Sequence, residues 1–319
     1  MIAQALLDTV SARAADTEAQ RRLPADLATE LAQAGMFRML VPKALGGAEV
    51  DVATMFSTLE QLGRADAATG WCVMIGGTTA LLSAWLPEDH ARAIWGDPNV
   101  ITGGVFAPMG RAEVDGGNYR VSGRWAWASG SANCAWLLGG AVIMDGGELR
   151  RLPNGAPDHR MMVMRRDEVE LIDTWDALGM RGTGSGDMAA KDVRVPQGRS
   201  VSFMTDTPRE TGPLYRFAPF GLLALGIAAV ASGNALGAMD DLKALATAKK
   251  GQGSSRTLAE RGVVQADYAA AHADLDAARA LVHAEIASAW ERVVAGDALD
   301  LSARARLRLA ATRLTQVSA

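Results

Sequence analysis

The spacing of hydrophobic residues changes twice along this chain, and this change constrains its fold more than any other feature. Apolar residues recur every three or four positions in the first and last thirds, whereas in the middle third they alternate with polar residues. These periods predict an α+β protein with a helical N-terminal domain at 1–99, a β domain at 100–212 and a helical bundle at 213–319. A chain of 319 residues is long enough for two or three domains.

The first third carries the start and stop signals of helices. Pro24 stands at a first-turn position and Gly35 at a C-terminal cap, so the residues between them predict one helix. A second helix is expected at 52–62, where apolar residues form one stripe that Gly63 closes. The stretch 71–85 is apolar almost throughout, which predicts a helix that is buried on several sides.

The last third predicts a bundle of long helices that lacks its last member. Apolar residues step by three and four from Val264 to Val293, which indicates one helix of about 38 residues. Another helix begins near Asp300 and continues to Ala319 without a glycine or proline to end it, so the chain looks cut off within an element. Three such helices leave a groove, and we expect a fourth helix from a lost tail or another subunit to close it.

One stretch of this last third has two interpretations. The 23 residues from Phe217 to Met239 carry no charge, and this length suffices for a membrane-spanning helix. The many small residues, and the lack of flanking aromatic and cationic anchors, favour a buried helix of the bundle instead. We therefore expect no membrane partner.

Turn signals multiply in the middle third and predict an antiparallel β domain. Val114 and Tyr119 flank an Asp-Gly-Gly-Asn turn, which is typical of a β-hairpin. Alternating segments predict further strands at 136–144, 160–164, 169–172 and 190–195.

The net charge and the cysteine content argue against several classes of protein, including nucleic-acid-binding proteins and metalloproteins. The net charge of −4 and the pI near 5.7 provide no basic surface for a phosphate backbone, so no nucleic-acid partner is expected. Cys72 and Cys134 lack the spacing of a thiolate metal site and the four histidines are scattered, so we expect neither a metal nor a disulfide framework. The first residues lack an uninterrupted apolar core, so no secretory signal is expected and the predicted location is the cytoplasm.

Two segments of the middle third are candidates for ligand binding. Trp125 and Trp127 are predicted to share one face of a strand with Ser129, which suits the stacking and hydrogen bonding of a flat heteroaromatic ring. The alternative is that these tryptophans are simply core residues. The segment 181–187, Arg-Gly-Thr-Gly-Ser-Gly-Asp, is not a Rossmann fingerprint because a strand follows it and not a helix. It is either a glycine-rich turn or a loop that borders a ligand.

Three motifs resemble the acyl-CoA dehydrogenase superfamily. Phe-Ala-Pro at 106–108 and Gly-Asn-Tyr-Arg-Val-Ser-Gly-Arg-Trp-Ala-Trp-Ala-Ser-Gly at 117–130 resemble its flavin-contacting strands. Leu-Gly-Met-Arg-Gly-Thr-Gly-Ser-Gly-Asp at 178–187, followed by Asp-Val-Arg-Val-Pro at 192–196, resembles the loop and strand that close the β domain. Residues 270–281, which include Ala-Ala-Arg, resemble the second helix of the bundle.

This resemblance covers essentially the whole chain and implies a fold, a cofactor and a reaction. The fold would be an N-terminal helical domain, a middle antiparallel β-barrel domain and a C-terminal helical bundle. The Trp-x-Trp-x-Ser-Gly and Arg-Gly-Thr-Gly-Ser motifs are more similar to the branch of two-component (group D) monooxygenases than to the fatty acyl-CoA enzymes. Such an enzyme would use diffusible reduced flavin, as FAD or FMN, from a flavin reductase partner. It would hydroxylate a small, aromatic substrate through a C4a-hydroperoxide.

The same superfamily also contains acyl-CoA dehydrogenases, so dehydrogenase activity is an alternative function. An acyl-CoA dehydrogenase needs a carboxylate base that takes the α-proton while hydride leaves the β-carbon for the flavin. In the family that glutamate lies in the C-terminal segment or near the start of the first bundle helix, and the matching residues at 221–225 are Gly-Leu-Leu-Ala-Leu. A dehydrogenase whose glutamate lies in the absent segment, with an electron-transfer partner, is one alternative. A non-catalytic helical scaffold is the other.

Carried over residue by residue, the resemblance assigns the site. Ser129 would be the catalytic hydroxyl near flavin N5, and Phe106, Pro108 and Trp127 would border the isoalloxazine ring. Arg256 would meet the flavin phosphate of the neighbouring subunit in a homotetramer. The branch's usual histidine base would lie in the absent tail. The substrate pocket would include Trp71, Met74 and Thr183.

Overall fold

The computed structural model describes residues 2–252 and 254–319, and its elements run from helices through strands back to helices. Within these residues, six α-helices precede the sheet: α1 (Gln4–Ala12), α2 (Ala14–Gln20), α3 (Ala25–Gln33), α4 (Val52–Ala65), α5 (Ala67–Ala80) and α6 (Glu88–Trp95). Four follow it: α7 (Pro213–Arg216), α8 (Pro219–Ala248), α9 (Gly262–Ala295) and α10 (Leu301–Val317). Helices and strands thus separate along the chain where the hydrophobic period changes.

The middle third forms one sheet. Its strands in chain order are β1 (Thr102–Asp115), β2 (Asn118–Trp125), β3 (Trp136–Asp145), β4 (Glu148–Leu149), β5 (His159–Arg165), β6 (Glu170–Ile172), β7 (Asp187–Pro196) and β8 (Ser200–Val201). Their order across the sheet is β6-β7-β2-β1-β3-β5-β8, with β4 paired to β3. The predicted hairpin is confirmed, because Asp115 pairs with Asn118 across the turn between β1 and β2.

The sheet is mixed, which corrects the expectation of a purely antiparallel domain. Strands β1 and β3 run parallel, with Thr102 opposite Trp136, whereas β1 and β2 are antiparallel. The hairpin explains this difference. Strand β2 occupies one edge of β1 and returns the chain toward the start of β1, so β3 enters on the other edge in the same direction as β1. A turn motif predicts only the pairing of the two strands that it connects. The prediction of antiparallel pairing is therefore wrong for β1 and β3.

The sheet is also open, which corrects the expectation of a β-barrel. Its two edges are β6 and β8, and in the described chain each pairs along one side, β6 with β7 and β8 with β5. These edge strands have three and two residues. Strands so short cannot form the continuous hydrogen-bond ladder that closes a barrel.

The centre of the sheet packs around the indole of Trp125. This side chain is fully buried, and its ring nitrogen donates to the carbonyl of Gly140 at 2.7 Å. A Cβ at Gly110 or Gly139 would lie 2.4 or 2.6 Å from the indole. The strands beside Trp125 therefore need glycine at these positions, because any larger residue would overlap the ring. Trp125 is a core residue and not part of a ligand platform.

Helix α8 packs closely on α4 through glycines. A Cβ at Gly63 would lie 2.8 Å from the carbonyl oxygen of Val230, and a Cβ at Gly233 would lie 2.2 Å from the carbonyl oxygen of Glu60. Gly63 therefore does not close α4 as predicted. The helix continues to Ala65, and the glycine is required because the two helix backbones approach each other there.

A buried carboxylate joins these two helices to α9. Glu60 accepts hydrogen bonds from Ser232 of α8 at 2.5 Å and from Arg279 of α9 at 2.8 and 2.9 Å. Burial raises the pKa of Glu60, but the hydrogen bonds from Arg279 and Ser232 together outweigh burial and hold that pKa below its ordinary value. The carboxylate is therefore ionised at neutral pH and links three helices through charge-assisted hydrogen bonds.

Among the residues that the structure describes, two helical stretches are long and apolar enough to cross a membrane. They are Ala67–Ala84 and Pro219–Ala248. In the first stretch, 78% of the most apolar segment is buried inside the protein. In the second stretch, the buried share of the most apolar segment is 44%. Helix α8 thus contributes to the core, and it also carries exposed apolar residues at Ile227, Leu242 and Leu245.

Candidate functional site

Two compartments meet at the side chain of Trp71 on α5. One, of about 280 Å³, is lined by Ser129, and we call it the Ser129 compartment. The other, of about 180 Å³, is lined by Phe106, and we call it the Phe106 compartment. Trp71 lines both, so its indole is a common wall between them.

The Ser129 compartment is bounded by indole rings and hydroxyl groups. A planar heteroaromatic ligand requires flat apolar walls for stacking and a few fixed polar groups for orientation, and this lining supplies both. No charged side chain lines the compartment within the described residues. Its lining residues are Trp71, Trp127, Ser129, Trp175, Met180, Thr183 and Ser185.

Trp127 does not continue the strand that carries Trp125. Strand β2 ends at Trp125, and Trp127 adopts a left-handed backbone conformation with φ +63°. The alternation of the strand is therefore broken: Trp125 is buried in the core, whereas 66% of Trp127 is exposed. The prediction that both tryptophans share a face with Ser129 is wrong. Trp127 and Ser129 nevertheless line the same compartment.

The turn that carries Ser129 is held by the glycine-rich segment of the chain. The backbone N–H of Ala128 donates to the carbonyl of Gly186, and that of Gly130 donates to the carbonyl of Thr183, both at 2.8 Å. These two hydrogen bonds fix the backbone on either side of Ser129, whose side chain is buried. Of its two interpretations, the segment 181–187 is thus the loop that borders the compartment.

The glycines of this segment allow it to pack closely. Residues Arg181–Thr183 form a single 3₁₀ turn, and Gly184 after it is left-handed with φ +54°. A Cβ at Gly182 would lie 2.3 Å from the Thr17 methyl group of α2 and 3.1 Å from Ala68 of α5. The turn is therefore fixed against two helices, and strand β7 starts directly after it.

Three side-chain hydroxyls form a row that starts at Ser129. Its Oγ lies 2.6 Å from Ser185 Oγ, which lies 2.6 Å from Thr183 Oγ1. Thr183 Oγ1 donates to the carbonyl of Met180 at 2.8 Å, and at the other end Trp71 Nε1 donates to Ser129 Oγ at 3.0 Å. All three hydroxyl side chains are buried. We call Ser129, Ser185 and Thr183 the hydroxyl row.

The Phe106 compartment is almost wholly apolar. The hydroxyl of Thr78, on its wall, donates to the carbonyl of Met74 at 2.7 Å and is therefore satisfied within α5. A protein cavity of about 150 Å³ holds one benzene ring, so a space of about 180 Å³ suits a small aromatic molecule. Other lining residues are Thr79, Leu138, Met161, Phe203, Leu223 and Ile227.

An aromatic cluster surrounds Phe106. Its ring stacks on Phe203 with centroids 6.1 Å apart, and the edges of Phe220 and His159 approach it with centroid distances of 5.6 and 5.0 Å. Burial lowers the pKa of His159, whose Nε2 is buried without a hydrogen-bond partner in the described chain. The imidazole is therefore neutral at pH 7 and packs as an aromatic ring.

Most of the predicted site residues lie in these compartments. Ser129, Trp127 and Thr183 line the first, and Phe106 and Met74 line the second. Thr183 and Met74, both predicted for a substrate pocket, are therefore on opposite sides of the Trp71 wall.

Two predicted residues lie outside both compartments. Pro108 is exposed in the irregular part of β1, between the paired residues Val105 and Gly110. Arg256 is exposed in the connection between α8 and α9, where its backbone bonds to the hydroxyl of Ser254. Gly253, at the start of the Gly-Ser-Ser-Arg-Thr motif, lies outside the described residues.

Three residues that line the compartments were not predicted from the sequence. Ser185 stands two positions after Thr183 in the glycine-rich motif, and this spacing was the available signal. Trp175 lies in the loop between β6 and β7, and its indole N–H donates to the Met180 carbonyl at 3.1 Å. Phe203 lies two residues after the end of β8. Neither of these two residues belongs to a periodic pattern, so the sequence carries no signal for them.

A larger cavity lies elsewhere. A space of about 740 Å³ opens at the start of α8 and beside the turn between α9 and α10. It is lined by Arg216, Arg304 and Arg308, and Phe203 lines both this space and the Phe106 compartment. Size therefore does not identify the site. The candidate site is identified instead by its buried hydroxyls and its aromatic walls.

The two cysteines are buried and unreactive, and the described residues contain no cluster of metal ligands. No group of three histidine, cysteine, aspartate or glutamate side chains there could hold a metal ion. Cys72 and Cys134 are buried free thiols, and burial raises the pKa of Cys134 to about 12. A thiol with such a pKa is not ionised at neutral pH and is a poor nucleophile.

Comparison with known proteins gives the relationships of this chain. The acyl-CoA dehydrogenase N-terminal domain matches residues 1–88, and the acyl-CoA dehydrogenase C-terminal domain matches residues 225–319. Indole-3-acetate monooxygenase of Pseudomonas putida is 32% identical over 99% of this chain and 80% of its own length. The oxygenase subunit HsaA, a flavin-dependent monooxygenase of Rhodococcus jostii (strain RHA1), is 32% identical over 98% of this chain and 82% of its own length.

A solved structure shows the same fold. XiaF from Streptomyces sp., in complex with FADH2 and glycerol, superposes with a TM-score of 0.88 and is 25% identical, covering 99% of this chain and 80% of that one. The relatives above match this chain almost from end to end; both are monooxygenases, and HsaA is flavin-dependent. The chain therefore belongs to the acyl-CoA dehydrogenase superfamily, in its branch of flavin-dependent monooxygenases.

Proposed function

We propose that this chain is the oxygenase component of a two-component system. It takes up reduced flavin and inserts one oxygen atom of O2 into a small aromatic substrate, leaving oxidised flavin and water as the other products. One observation carries the proposal: the buried hydroxyl of Ser129 lines an indole-walled compartment that shares the Trp71 wall with an apolar, ring-sized compartment. This arrangement supplies one site for the flavin and one for the substrate.

The Ser129 compartment fits the tricyclic ring of a flavin. The indoles of Trp127 and Trp175 offer flat surfaces for stacking, and Ser129 offers one fixed polar atom for the ring nitrogens. A bound reduced flavin supplies the two electrons that activate O2. The part played by the chain is to hold the ring, to orient it through Ser129 and to keep water out.

The walls of both compartments offer water few polar partners once ligands fill them. No charged side chain among the described residues lines either of them, so no charged group holds a hydration shell between the flavin and the substrate. A dry site of this kind protects reactive oxygen chemistry from hydrolysis and from loss of protons.

The substrate class follows from the Phe106 compartment. Its walls are aliphatic and aromatic, and its volume of about 180 Å³ suits a small aromatic molecule. Phe106, which the resemblance places beside the flavin, serves here as a substrate wall opposite Met74. Indole-3-acetate monooxygenase and FADH(2)-dependent resorcinol hydroxylase are relatives whose names indicate aromatic substrates, which supports this choice.

The chemistry of an acyl-CoA dehydrogenase is poorly supported by these compartments. That reaction needs a carboxylate beside the substrate to take the α-proton. No aspartate or glutamate of the described chain lines the Ser129 or the Phe106 compartment. The start of α8 likewise reads Gly-Leu-Leu-Ala-Leu at 221–225.

The assembly and the partner are also part of the proposal. A flavin reductase supplies the reduced flavin, and exposed apolar residues of α8 such as Leu242 and Leu245 support a homotetramer. In that assembly the exposed Arg256 is free to reach a flavin phosphate on a neighbouring subunit. The two unpaired cysteines support a cytoplasmic location.

Anaerobic titration tests the flavin site directly. The protein is titrated under argon with FADH2 and with FMNH2, and we expect saturable binding of one of them. Ser129→Ala should weaken that binding about tenfold, because it removes one hydrogen bond worth about 1.4 kcal/mol to the ring. Ser302→Ala, at an exposed serine on α10, is the matched control and should bind as the wild type does.

Isotope transfer tests the reaction. The loaded protein is mixed with ¹⁸O2 in the presence of indole-3-acetate or resorcinol, and mass spectrometry should find one ¹⁸O atom in the product. Absence of saturable binding for both reduced flavins would overturn the proposal. Bleaching of bound oxidised flavin by an acyl-CoA under argon would favour the dehydrogenase instead.

A further inference from the structure

The walls of the two compartments carry oxidisable atoms of the chain itself. Two thioethers, Met74 of α5 and Met161 of β5, line the Phe106 compartment, and a third, Met180, lines the Ser129 compartment. A thioether sulfur is polarisable and takes up one oxygen atom to become a sulfoxide, unlike the aliphatic side chains around it. A site that directs oxygen onto an apolar substrate therefore has sulfur within its own walls.

Met74 lies next to the wall that separates the two compartments. Trp71, Met74 and Thr78 occupy positions i, i+3 and i+7 of α5, so they share one face of this helix, and all three line the Phe106 compartment. Helix residues three apart have Cβ atoms about 5–6 Å from each other. The Met74 side chain therefore starts one helical turn from the Trp71 wall, where flavin and substrate would meet. Met161 belongs to the sheet, and Met180 lines the compartment that the flavin ring itself would fill.

The sulfur of Met74 is held in place and shielded from solvent. Thr78 Oγ1 lies 3.9 Å from it, and a Cβ at Gly226 of α8 would lie 3.4 Å from it. The side chain is packed between two helices, and only 3% of the residue is exposed. An oxidant in solution has little access to this sulfur, whereas oxygen released within the compartment meets it directly.

We propose that the site oxidises Met74 to its sulfoxide when the Phe106 compartment holds no substrate. The inference rests on the proposed function and concerns the fate of the oxygen when no aromatic ring is present. The O–O bond of O2 breaks, one atom forms the new S–O bond, and the other leaves as water with two hydrogens from the reduced flavin. The sulfur and the flavin each lose two electrons, and O2 takes up all four.

This modification has two measurable consequences. A sulfoxide places a polar oxygen in an apolar compartment, so each modified molecule should bind aromatic substrates less well. A bound substrate should protect the sulfur, because it occupies the space in front of it. At ten times its dissociation constant a substrate leaves about a tenth of the sites empty, so the modification should fall about tenfold.

The experiment follows the oxygen by peptide mass spectrometry. The protein turns over the reduced flavin that it binds, FADH2 or FMNH2, under ¹⁸O2, with catalase present to remove free peroxide. A parallel sample contains indole-3-acetate or resorcinol, whichever the protein hydroxylates. Trypsin cleaves after Arg64 and Arg92, which places Met74 on one peptide, and fragmentation of this peptide separates Met74 from Trp71.

Exposed methionines of the same chain are the internal controls. Met109 and Met204 are 44% and 63% exposed, so peroxide in solution would oxidise them before the buried Met74. We expect the reverse order, with ¹⁸O on Met74 first, and about tenfold less of it when the substrate is present. Met74→Leu preserves apolar volume and removes the sulfur. During turnover without substrate, it should lose its own initial activity more slowly than the wild type, whereas Met109→Leu should lose activity as the wild type does.

Several results would overturn the proposal. One is an unlabelled Met74 in a protein that oxidises reduced flavin and hydroxylates its substrate. Another is label that reaches Met109 and Met204 before Met74, or that appears on Met161 or Trp71 in its place. A Met74→Leu protein that loses activity as fast as the wild type would equally contradict it. Absence of reduced-flavin binding in the anaerobic titration would overturn the proposed function, and this inference would fall with it.

Discussion

The indole of Trp71 separates the flavin and substrate compartments, so its removal should uncouple flavin oxidation from hydroxylation. Trp71→Ala would join spaces of about 280 and 180 Å³ and would admit water between them. We expect this variant to oxidise reduced flavin readily while the electrons leave as hydrogen peroxide, with little hydroxylated product. Trp71→Phe keeps a ring in the wall and should retain most of the product.

The two variants should also differ in their free energy of unfolding. Trp71→Phe removes a hydrogen bond of 3.0 Å to Ser129, which is worth about 1 kcal/mol. Trp71→Ala also removes the ring. Truncation of an aromatic core residue to alanine costs at least about 3 kcal/mol, and a partly buried tryptophan should fall at this lower end.

Two experiments check these values. Urea unfolding gives the two free energies, and rapid mixing of FADH2-loaded protein with O2 and indole-3-acetate gives product and peroxide per flavin. Trp71→Phe serves as the control for the loss of the indole N–H alone. A folded Trp71→Ala protein that makes as much product per flavin as the wild type would refute the two-compartment reasoning.

Three further predictions concern stability and substrate access. Glu60→Gln should lower the unfolding free energy by about 2 kcal/mol at pH 7, because it removes the charge that accepts two hydrogen bonds from the partly buried Arg279. The pKa of Glu60 is lowered in the folded protein, so its contribution is present above the ordinary value near 4.5 and is lost as the pH falls below it. Urea titrations should therefore show the wild type and variant converging at low pH. Gly139→Ala should cost about 1–3 kcal/mol by thermal unfolding, since its Cβ would lie 2.6 Å from Trp125, whereas Gly117→Ala meets nothing within 4 Å. Thr79→Phe should narrow the Phe106 compartment and raise the KM for aromatic substrates without changing FADH2 binding.

Each of these predictions has an outcome that contradicts it. A difference between wild type and Glu60→Gln that is the same at pH 3 and pH 7 would show that the carboxylate does not act through its charge. Equal melting temperatures for Gly139→Ala and Gly117→Ala would contradict the tight fit around the indole. A weaker affinity of Thr79→Phe for FADH2 would mean that the flavin occupies the Phe106 compartment.

The order of elements could be predicted because it depends on local periodicity. The helix expected between Pro24 and Gly35 is α3, and the long helix expected from Val264 to Val293 is α9. Helix α9 has 34 residues and not about 38, because Gly296 adopts φ +94° directly after its end. A glycine ends a helix in this way only where the backbone turns left-handed.

Long-range contacts account for the predictions that were wrong. Gly63 looks like a helix end in the sequence, but the carbonyl of Val230 on a distant helix decides its role. The parallel pairing of β1 with β3 depends on which edge of β1 is already occupied. Neither fact has a local signal, because in both cases the partner lies far away along the chain.

The candidate site was only partly visible in the sequence. The resemblance indicated Ser129 and Trp127, and the structure places both in one compartment. Trp125 shares the same motif but points into the core, because the strand ends before Trp127. Ser185 and Trp175 come from other loops, and their distance from Ser129 is set only when the glycine-rich segment folds against it.

The central claim is that a flavin ring lies in the Ser129 compartment, and a crystal structure of the protein soaked with FADH2 under argon tests it most directly. We expect the ring between the indoles of Trp127 and Trp175, with N5 at about 3 Å from Ser129 Oγ. A ring bound in the Phe106 compartment, or in the cavity lined by Arg216 and Arg304, would contradict the account.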